Sequence, residues 1–318
     1  PLLARFGEAK VNLPGGCAIG TRPVDLHLYG MEKLGAKIEL ENGMVHATCK
    51  KLKGADITLK FPSVGATENI LMACVLAEGK STIENAAREP EIKDLADFLN
   101  AMGAKISGQG TSTITIEGVS TLHSADFSVM GDRIEAITYL AAIIATRGTG
   151  KVVGFNPIDV QAVCDKFSQM GVSLKYEENA VEILRVPDSF LPVDITTLPH
   201  PGFPTDAQAQ LMALLTQAKG VSTVRETIFE NRFMHVSELL RFGAQIEIKG
   251  NTAFVHGPTN LTGAPVMASD LRASAALIIA ALMAQGKSTI HRLYHLDRGY
   301  EKLEFKLQAL GANVERIS

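Results

Sequence analysis

A cysteine on a glycine-rich loop, a carboxylate at the start of an apolar helix and a set of scattered arginines are the residues of this chain best suited to chemistry on an anion. The loop is Leu13-Pro14-Gly15-Gly16-Cys17-Ala18-Ile19-Gly20-Thr21-Arg22-Pro23. A Pro-Gly-Gly run with two further breakers close behind excludes both helix and central strand, so Cys17 rides a loop, five residues ahead of Arg22. A nearby cation lowers the pKa of an accessible thiol and makes it a nucleophile or an acid. A loop cysteine without a task is the plain alternative. Cys49, Cys74 and Cys164 lie in apolar strand-like or helical runs and read as core.

The second group stands where apolar helices begin: Ser63-Val64-Gly65-Ala66-Thr67, Gly131-Asp132-Arg133, Pro204-Thr205-Asp206 and Ser269-Asp270-Leu271-Arg272. Unpaired N–H groups and a partial positive charge make a helix start an anion site, above all where several converge. Ordinary capping is the commoner use of Ser, Thr and Asp at such places. The third group is Arg22, Arg88, Arg133, Arg232, Arg272 and Arg298. Guanidinium forks fit carboxylates and phosphates, although most arginines are merely solvated.

The elements that must position these groups recur along the chain. An amphipathic run ends in a large apolar residue, then glycine, then a small residue and an alternating strand, at Leu34-Gly35-Ala36, Met102-Gly103-Ala104, Met170-Gly171-Val172, Phe242-Gly243-Ala244 and Leu310-Gly311-Ala312. The glycines are spaced by 68, 68, 72 and 68 residues, which marks a repeat architecture. Each glycine is placed to take the left-handed conformation that stops a helix. Interleaved segments beginning at Gly79, Gly148, Gly220 and Gly286 each follow an apolar helix and open a strand.

Two unlike helices alternate as a result. One kind, such as Glu91 to Met102, is amphipathic and belongs on a sheet. The other, such as Ile70 to Ala77, Ile134 to Ala145, Ala209 to Leu215 or Leu271 to Ala284, is apolar nearly all round and must be buried. The chain is therefore expected to be α/β, with a bundle of helices inside and sheets outside, divided near Met130-Gly131. It is also expected to begin part-way through the unit that ends at Gly35.

With 318 residues, 46% of them hydrophobic, the chain can bury two ordinary cores. A net charge of −3 gives no broad positive field, so nucleic acid is an unexpected partner. The longest strongly apolar stretch, Ala273 to Ala284, is too short to cross a bilayer. Four scattered cysteines, without a CxxC pair or a histidine cluster, point to free thiols in a reducing compartment and to no zinc.

At these residues the sequence resembles the UDP-N-acetylglucosamine enolpyruvyl transferases of the enolpyruvyltransferase family. The likeness covers essentially the whole chain. It is carried by Pro14-Gly15-Gly16-Cys17, Gly20-Thr21-Arg22-Pro23-Val24-Asp25-Leu26-His27, Ser63-Val64-Gly65-Ala66-Thr67, Glu84 to Glu91, Phe203-Pro204-Thr205-Asp206, Phe229-Glu230-Asn231-Arg232-Phe233-Met234-His235, Asp270-Leu271-Arg272-Ala273-Ser274 and His295 to Glu301. The resemblance implies a two-domain inside-out α/β barrel of about six similar units, about five of them visible here. Residues 1–131 would be a first domain, incomplete at its start and carrying the cysteine loop, and 132–318 a second.

The implied reaction moves the enolpyruvyl group of phosphoenolpyruvate to the 3′-hydroxyl of UDP-N-acetylglucosamine, the first committed step of peptidoglycan synthesis. It implies a cytoplasmic monomer with no metal, cofactor or membrane attachment. By the same resemblance Asp206 orients or deprotonates the sugar hydroxyl, and Cys17 is the general acid or covalent holder and the target of fosfomycin. Arg22, Arg232, Arg272 and Arg298 clamp phosphoenolpyruvate, with Arg298 among the catalytic groups. Arg22, Pro23, Val24, Asp25, Leu26, Ser63, Val64, Gly65, Asp206, Ile228 and Asp270 belong to the substrate-binding set, and Glu89 and Glu91 neighbour the site.

Two departures stand out. A Lys-Asn pair and a further arginine that the family carries upstream of the cysteine loop do not lie within these residues, and Phe61 stands where some members have a basic residue. Transfer to shikimate 3-phosphate, and a copy that binds UDP-sugar without turnover by itself, are the alternatives.

Overall fold

The computed structural model describes residues 1–14, 20 and 23–317, so Cys17 and Arg22 lie outside the described residues. The chain divides into two units. The first holds residues 1–14, 23–130 and 199–201; the second holds residue 20 with 131–198 and 202–317.

The first unit begins with α1 (Leu2–Phe6), β1 (Glu8–Asn12), α2 (Asp25–Lys33), β2 (Lys37–Glu41) and β3 (Met44–Thr48), the strands forming an antiparallel sheet in the order β1-β3-β2. A fuller round follows: β4 (Asp56–Thr58), α3 (Val64–Cys74), β5 (Lys80–Glu84), α4 (Pro90–Ala101), β6 (Lys105–Ser107) and β7 (Thr113–Glu117). Its sheet runs β4-β5-β7-β6, with β4 parallel to β5 across the buried helix and β7 antiparallel to both its neighbours.

The second unit passes through three rounds of this plan, one complete and two partial. Its first round is α5 (Arg133–Ala145), β8 (Gly150–Val153), α6 (Gln161–Gln169), β9 (Ser173–Glu177) and β10 (Ala180–Arg185), with sheet order β8-β10-β9. The next is β11 (Ile195–Thr196), α7 (Thr205–Leu215), β12 (Gly220–Arg225), α8 (Val236–Arg241), β13 (Gln245–Lys249) and β14 (Thr252–Gly257). Its order β11-β12-β14-β13 reproduces that of the first unit's fuller round. The last has β15 (Pro265–Met267) parallel to β16 (Thr289–His291) through α9 (Leu271–Met283), then a 3-10 turn at Leu293–Arg298 and α10 (Leu303–Ala309).

The glycine signal has a single physical basis at all five sites. Gly35, Gly103, Gly171, Gly243 and Gly311 take φ between +91° and +100°. In each, the glycine N–H and the next N–H turn back onto the last helical turn, as in Gly35 N–H to Glu32 O at 2.9 Å and Ala36 N–H to Met31 O at 3.0 Å. That is the paired closure of a Schellman cap, which lets the chain leave the helix directly into a strand after the first four glycines, whereas the strand expected after Gly311 does not form among the described residues.

The two kinds of helix separate as their patterns require. In the second unit α5, α7 and α9 pack on one another, while α5 meets β8 and β10, α7 meets β12 and β14, and α9 meets β16. Helices thus form the interior and sheets the exterior of this unit, because a helix apolar all round finds no solvent face. In α7 every residue from Ala207 to Leu215 is buried, which leaves only Thr205 and Asp206 at its start to meet solvent. Burial pushes the Cys74 thiol up to about 11 and the Cys164 thiol up to about 12, so both are inert core. Cys49, expected in the core, is instead half-exposed just after β3, where its Sγ–H reaches the carbonyls of Gly35 and Lys51. No helix of the described residues is long and apolar enough to cross a membrane.

Candidate active site

In the second unit three of the polar helix starts meet. Asp132 caps α5, its Oδ1 accepting from the N–H groups of Ile134 and Glu135 at 2.8 and 3.0 Å. Asp270 caps α9 in the same way, accepting from Arg272 and Ala273 at 3.0 Å, and its second oxygen takes the Ser269 hydroxyl. Capping therefore engages Oδ1 of Asp270, a residue of the expected substrate-binding set.

Asp206 is different. Pro204 holds the cap position of α7 without a side-chain hydrogen bond, and Asp206, in the first turn, is left for other partners. Its Oδ1 accepts from Arg232 Nη2 at 2.6 Å and its Oδ2 lies 3.6 Å from Arg272 Nη2. Arg232 is 3% exposed and Arg272 13%, whereas the Asp206 side chain is 43% exposed. The cations are thus sunk in the wall and the half-exposed carboxylate lies in front of them. Desolvation pushes the Asp206 carboxyl up, but Arg272 and Arg232, with Arg133 at the start of α5, outweigh it and hold the group below the usual carboxylate range. The stabilisation from this pairing is complete above the ordinary aspartate pKa and is lost only as pH falls through the lowered value, so near neutrality Asp206 is an anion. An arriving phosphate or carboxylate competes with it for the same two forks.

A second carboxylate, which the sequence patterns did not reveal, builds this corner. Glu226 is 3% exposed and accepts four hydrogen bonds: the Thr197 hydroxyl at 2.8 Å, the N–H groups of Ile228 and Phe229 at 2.8 and 3.3 Å, and the Thr205 hydroxyl at 2.9 Å. It ties the loop that carries Ile228 to the turn that presents Asp206. Glu226→Ala would leave four donors without their acceptor, the buried Thr197 hydroxyl and three part-buried groups, a loss of about 3 kcal/mol. We expect a melting temperature lower by roughly 5–10 °C. A variant that melts with the wild type would remove Glu226 from this role.

The other predicted residues of this unit are less tightly framed. Arg298 ends the 3-10 turn, is exposed and makes no ion pair among the described residues. Gly20, the one described residue between positions 15 and 22, lies against the Phe229-Glu230 segment: an added Cβ would sit 2.7 Å from Glu230 Oε2 and 3.7 Å from the Phe229 ring.

In the first unit the predicted nucleotide-sugar segments lie at the starts of two helices that pack together. Gly30 of α2 has no room for a side chain, since a Cβ there would lie 2.3 Å from Ile70 Cδ1 of α3. That contact presses α2 against α3 along their length. His27 fits the same seam, its Nδ1 3.1 Å from Asn69 Nδ2 and its ring 3.4 Å from where a Gly65 Cβ would be. His27, in the first turn of α2, thus reaches the first turn of α3 at Gly65, and Gly30 packs on Ile70 further along α3. Ser63 caps α3 through the Ala66 N–H at 3.4 Å. Phe61 is 45% exposed beside this start. Glu89 accepts the His200 N–H at 3.2 Å within the same unit.

Comparisons with known proteins agree with one another. Residues 1–307 match the family of EPSP synthase (3-phosphoshikimate 1-carboxyvinyltransferase). The chain is 57% identical over 318 residues to a UDP-N-acetylglucosamine 1-carboxyvinyltransferase of Solidesulfovibrio magneticus, covering 100% of this chain and 76% of that protein. It is 56% identical over 319 residues to one of Acinetobacter baylyi, with the same coverage. Among solved structures, the enolpyruvyl transferase NikO from Streptomyces tendae superposes with a TM-score of 0.86 at 26% identity, over 98% of this chain and 74% of that one. EPSP synthase from Acinetobacter baumannii gives 0.69 at 20% identity, over 96% and 75%.

Proposed function

The chain belongs to the EPSP synthase (3-phosphoshikimate 1-carboxyvinyltransferase) family, and on that premise we propose that it transfers the enolpyruvyl group of phosphoenolpyruvate to the 3′-hydroxyl of UDP-N-acetylglucosamine, releasing phosphate. Its fold is the inside-out α/β barrel of the enolpyruvyl transferases. The name and high identity of the carboxyvinyltransferase relatives favour the UDP-sugar over shikimate 3-phosphate as acceptor.

The observation that carries the chemistry is the Asp206 carboxylate standing free of capping in front of two buried guanidinium groups. The sugar oxygen adds to C2 of phosphoenolpyruvate while C3 gains a proton and becomes methyl. The tetrahedral intermediate then loses that proton equivalent from C3 and expels phosphate, which restores the vinyl group on the sugar oxygen. Arg232 and Arg272, with Arg298 and Arg22, hold the phosphate and carboxylate and stabilise charge as it shifts. Asp206 accepts the hydrogen bond of the 3′-hydroxyl and takes its proton. A carboxylate paired with two cations is a weak base. Phosphoenolpyruvate relieves this by drawing the forks to its own oxygens, and basicity at Asp206 then rises. Cys17 supplies the proton to C3 or holds the enolpyruvyl phosphate. The starts of α2 and α3 receive the UDP moiety through Pro23 to Leu26 and Ser63 to Gly65, with N–H groups suited to anions.

The reading further takes the enzyme to act in the cytoplasm as a monomer, with no metal or organic cofactor, in peptidoglycan synthesis. A ligand titration followed by melting temperature tests the choice of acceptor. UDP-N-acetylglucosamine should stabilise the protein and shikimate 3-phosphate should not; stabilisation by shikimate 3-phosphate alone would reverse the choice.

A further inference from the structure

Behind Arg272 lies a buried polar chain that the reaction outlined above does not use. Tyr300, 2% exposed, places its hydroxyl 3.2 Å from Arg272 Nη1 and 2.8 Å from Thr138 Oγ1. Thr138, on α5 and also buried, lies 3.0 Å from the Ile134 carbonyl and 3.4 Å from Gln210 Nε2 of α7. The direction of every bond in this chain is determined. A guanidinium can only donate, so the Tyr300 oxygen accepts from Arg272 and its proton goes to Thr138. The Ile134 carbonyl can only accept, so the Thr138 proton goes there, and Thr138 Oγ1 receives both Tyr300 and Gln210.

The backbone around Tyr300 is shaped for this insertion. A Cβ at Gly299 would lie 2.9 Å from Leu271 Cδ2, so the glycine lets the segment that follows Arg298 close onto the first turn of α9. The Arg272 guanidinium carbon lies 5.9 Å from the centre of the Tyr300 ring, which adds a weak cation–π contact. Arg272 is thus held at one nitrogen by Tyr300 while another faces Asp206. Burial raises the Tyr300 phenol pKa, so it stays a neutral acceptor across the working range.

We propose that Tyr300 is a positioning residue for the phosphoenolpyruvate site: through Thr138 it is locked to α5 and α7, and its oxygen fixes the Arg272 fork in the orientation that receives the anion. This rests on the enolpyruvyl-transfer reading of the same site. An unfixed arginine retains its charge but must be ordered when the anion binds, which weakens binding of phosphoenolpyruvate and not of the UDP-sugar.

Steady-state kinetics on the full chain test this. Tyr300→Phe keeps the ring and removes the acceptor; the KM for phosphoenolpyruvate should rise about tenfold, as loss of one charge-assisted hydrogen bond implies. The kcat should change by less than about threefold and the KM for UDP-N-acetylglucosamine should stay constant. Thr138→Val should shift the same constant in the same direction, and Thr138→Ser, which retains the hydroxyl, should restore it. An unchanged KM for phosphoenolpyruvate in Tyr300→Phe, or a rise in both KM values together, overturns the proposal. If Tyr300→Phe does not fold, the Thr138→Val and Thr138→Ser pair decides by the same criteria. Arg272→Lys separates the two levels of the argument. A raised KM there with none in Tyr300→Phe sinks only the role of Tyr300, whereas no change in Arg272→Lys removes the Arg272 fork from phosphoenolpyruvate binding.

Discussion

Asp206→Ala is expected to lower phosphate release by about 10²–10⁴-fold, the usual contribution of a positioned acid or base, while UDP-N-acetylglucosamine still binds. The selectivity follows from where the carboxylate sits. It is half-exposed in the first turn of a helix whose nine following residues are buried, so its removal opens no cavity in the core. The nucleotide-binding segments proposed at α2 and α3 belong to the first unit and do not include Asp206. Loss of the carboxylate also leaves Arg232 and Arg272 without their shared counter-ion. Inorganic phosphate should therefore bind the variant more tightly than the wild type even as turnover collapses. Calorimetric titration with phosphate, beside the turnover assay, would show both. Normal turnover would remove Asp206 from the mechanism, and weaker phosphate binding would show that the two guanidinium groups do not form the anion site.

Cys17→Ser is expected to abolish covalent labelling by fosfomycin, read as loss of the adduct mass on the intact protein. Opening an epoxide at neutral pH requires a thiolate, and the serine hydroxyl is far too weakly acidic and nucleophilic to replace it. The other cysteines cannot substitute. Burial pushes Cys74 up to about 11 and Cys164 up to about 12, and the half-exposed Cys49 has its thiol engaged by two carbonyls. An unchanged adduct mass in the serine variant would refute the assignment of Cys17 as the reactive thiol.

What could be read from the sequence was whatever depends on local repetition. The five glycine caps were legible because each one needs the same left-handed residue after the same amphipathic turn, and their bonds are the same in all five. The buried helices were legible because Leu271 to Met283 or Arg133 to Ala145 have no polar face to turn outward. The candidate site was legible only in part. Asp206 and Asp270 look alike in sequence, each beside an apolar helix start, yet Asp270 is consumed by its own backbone and Asp206 is not. The difference is the proline at position 204, which sets Asp206 two places inside the helix start rather than at the cap.

Glu226 and the Thr138–Tyr300 pair stayed hidden for another reason. Each is a single polar residue whose partners come from elements far apart in the chain, with Thr138 and Tyr300 separated by 162 positions. No periodicity records such a contact, since it exists only once α5, α7 and α9 have packed together. Cys49 departs from the core expectation because an apolar run at the end of a strand does not say which face the sheet covers.

The most direct measurement supplies the full chain with phosphoenolpyruvate and UDP-N-acetylglucosamine and follows inorganic phosphate together with the vinyl-ether protons of the product by NMR. The account predicts one phosphate released for each enolpyruvyl ether formed on the sugar 3′-oxygen, and none when shikimate 3-phosphate replaces the UDP-sugar. Phosphate release with shikimate 3-phosphate, or release without ether formation on the UDP-sugar, would contradict it.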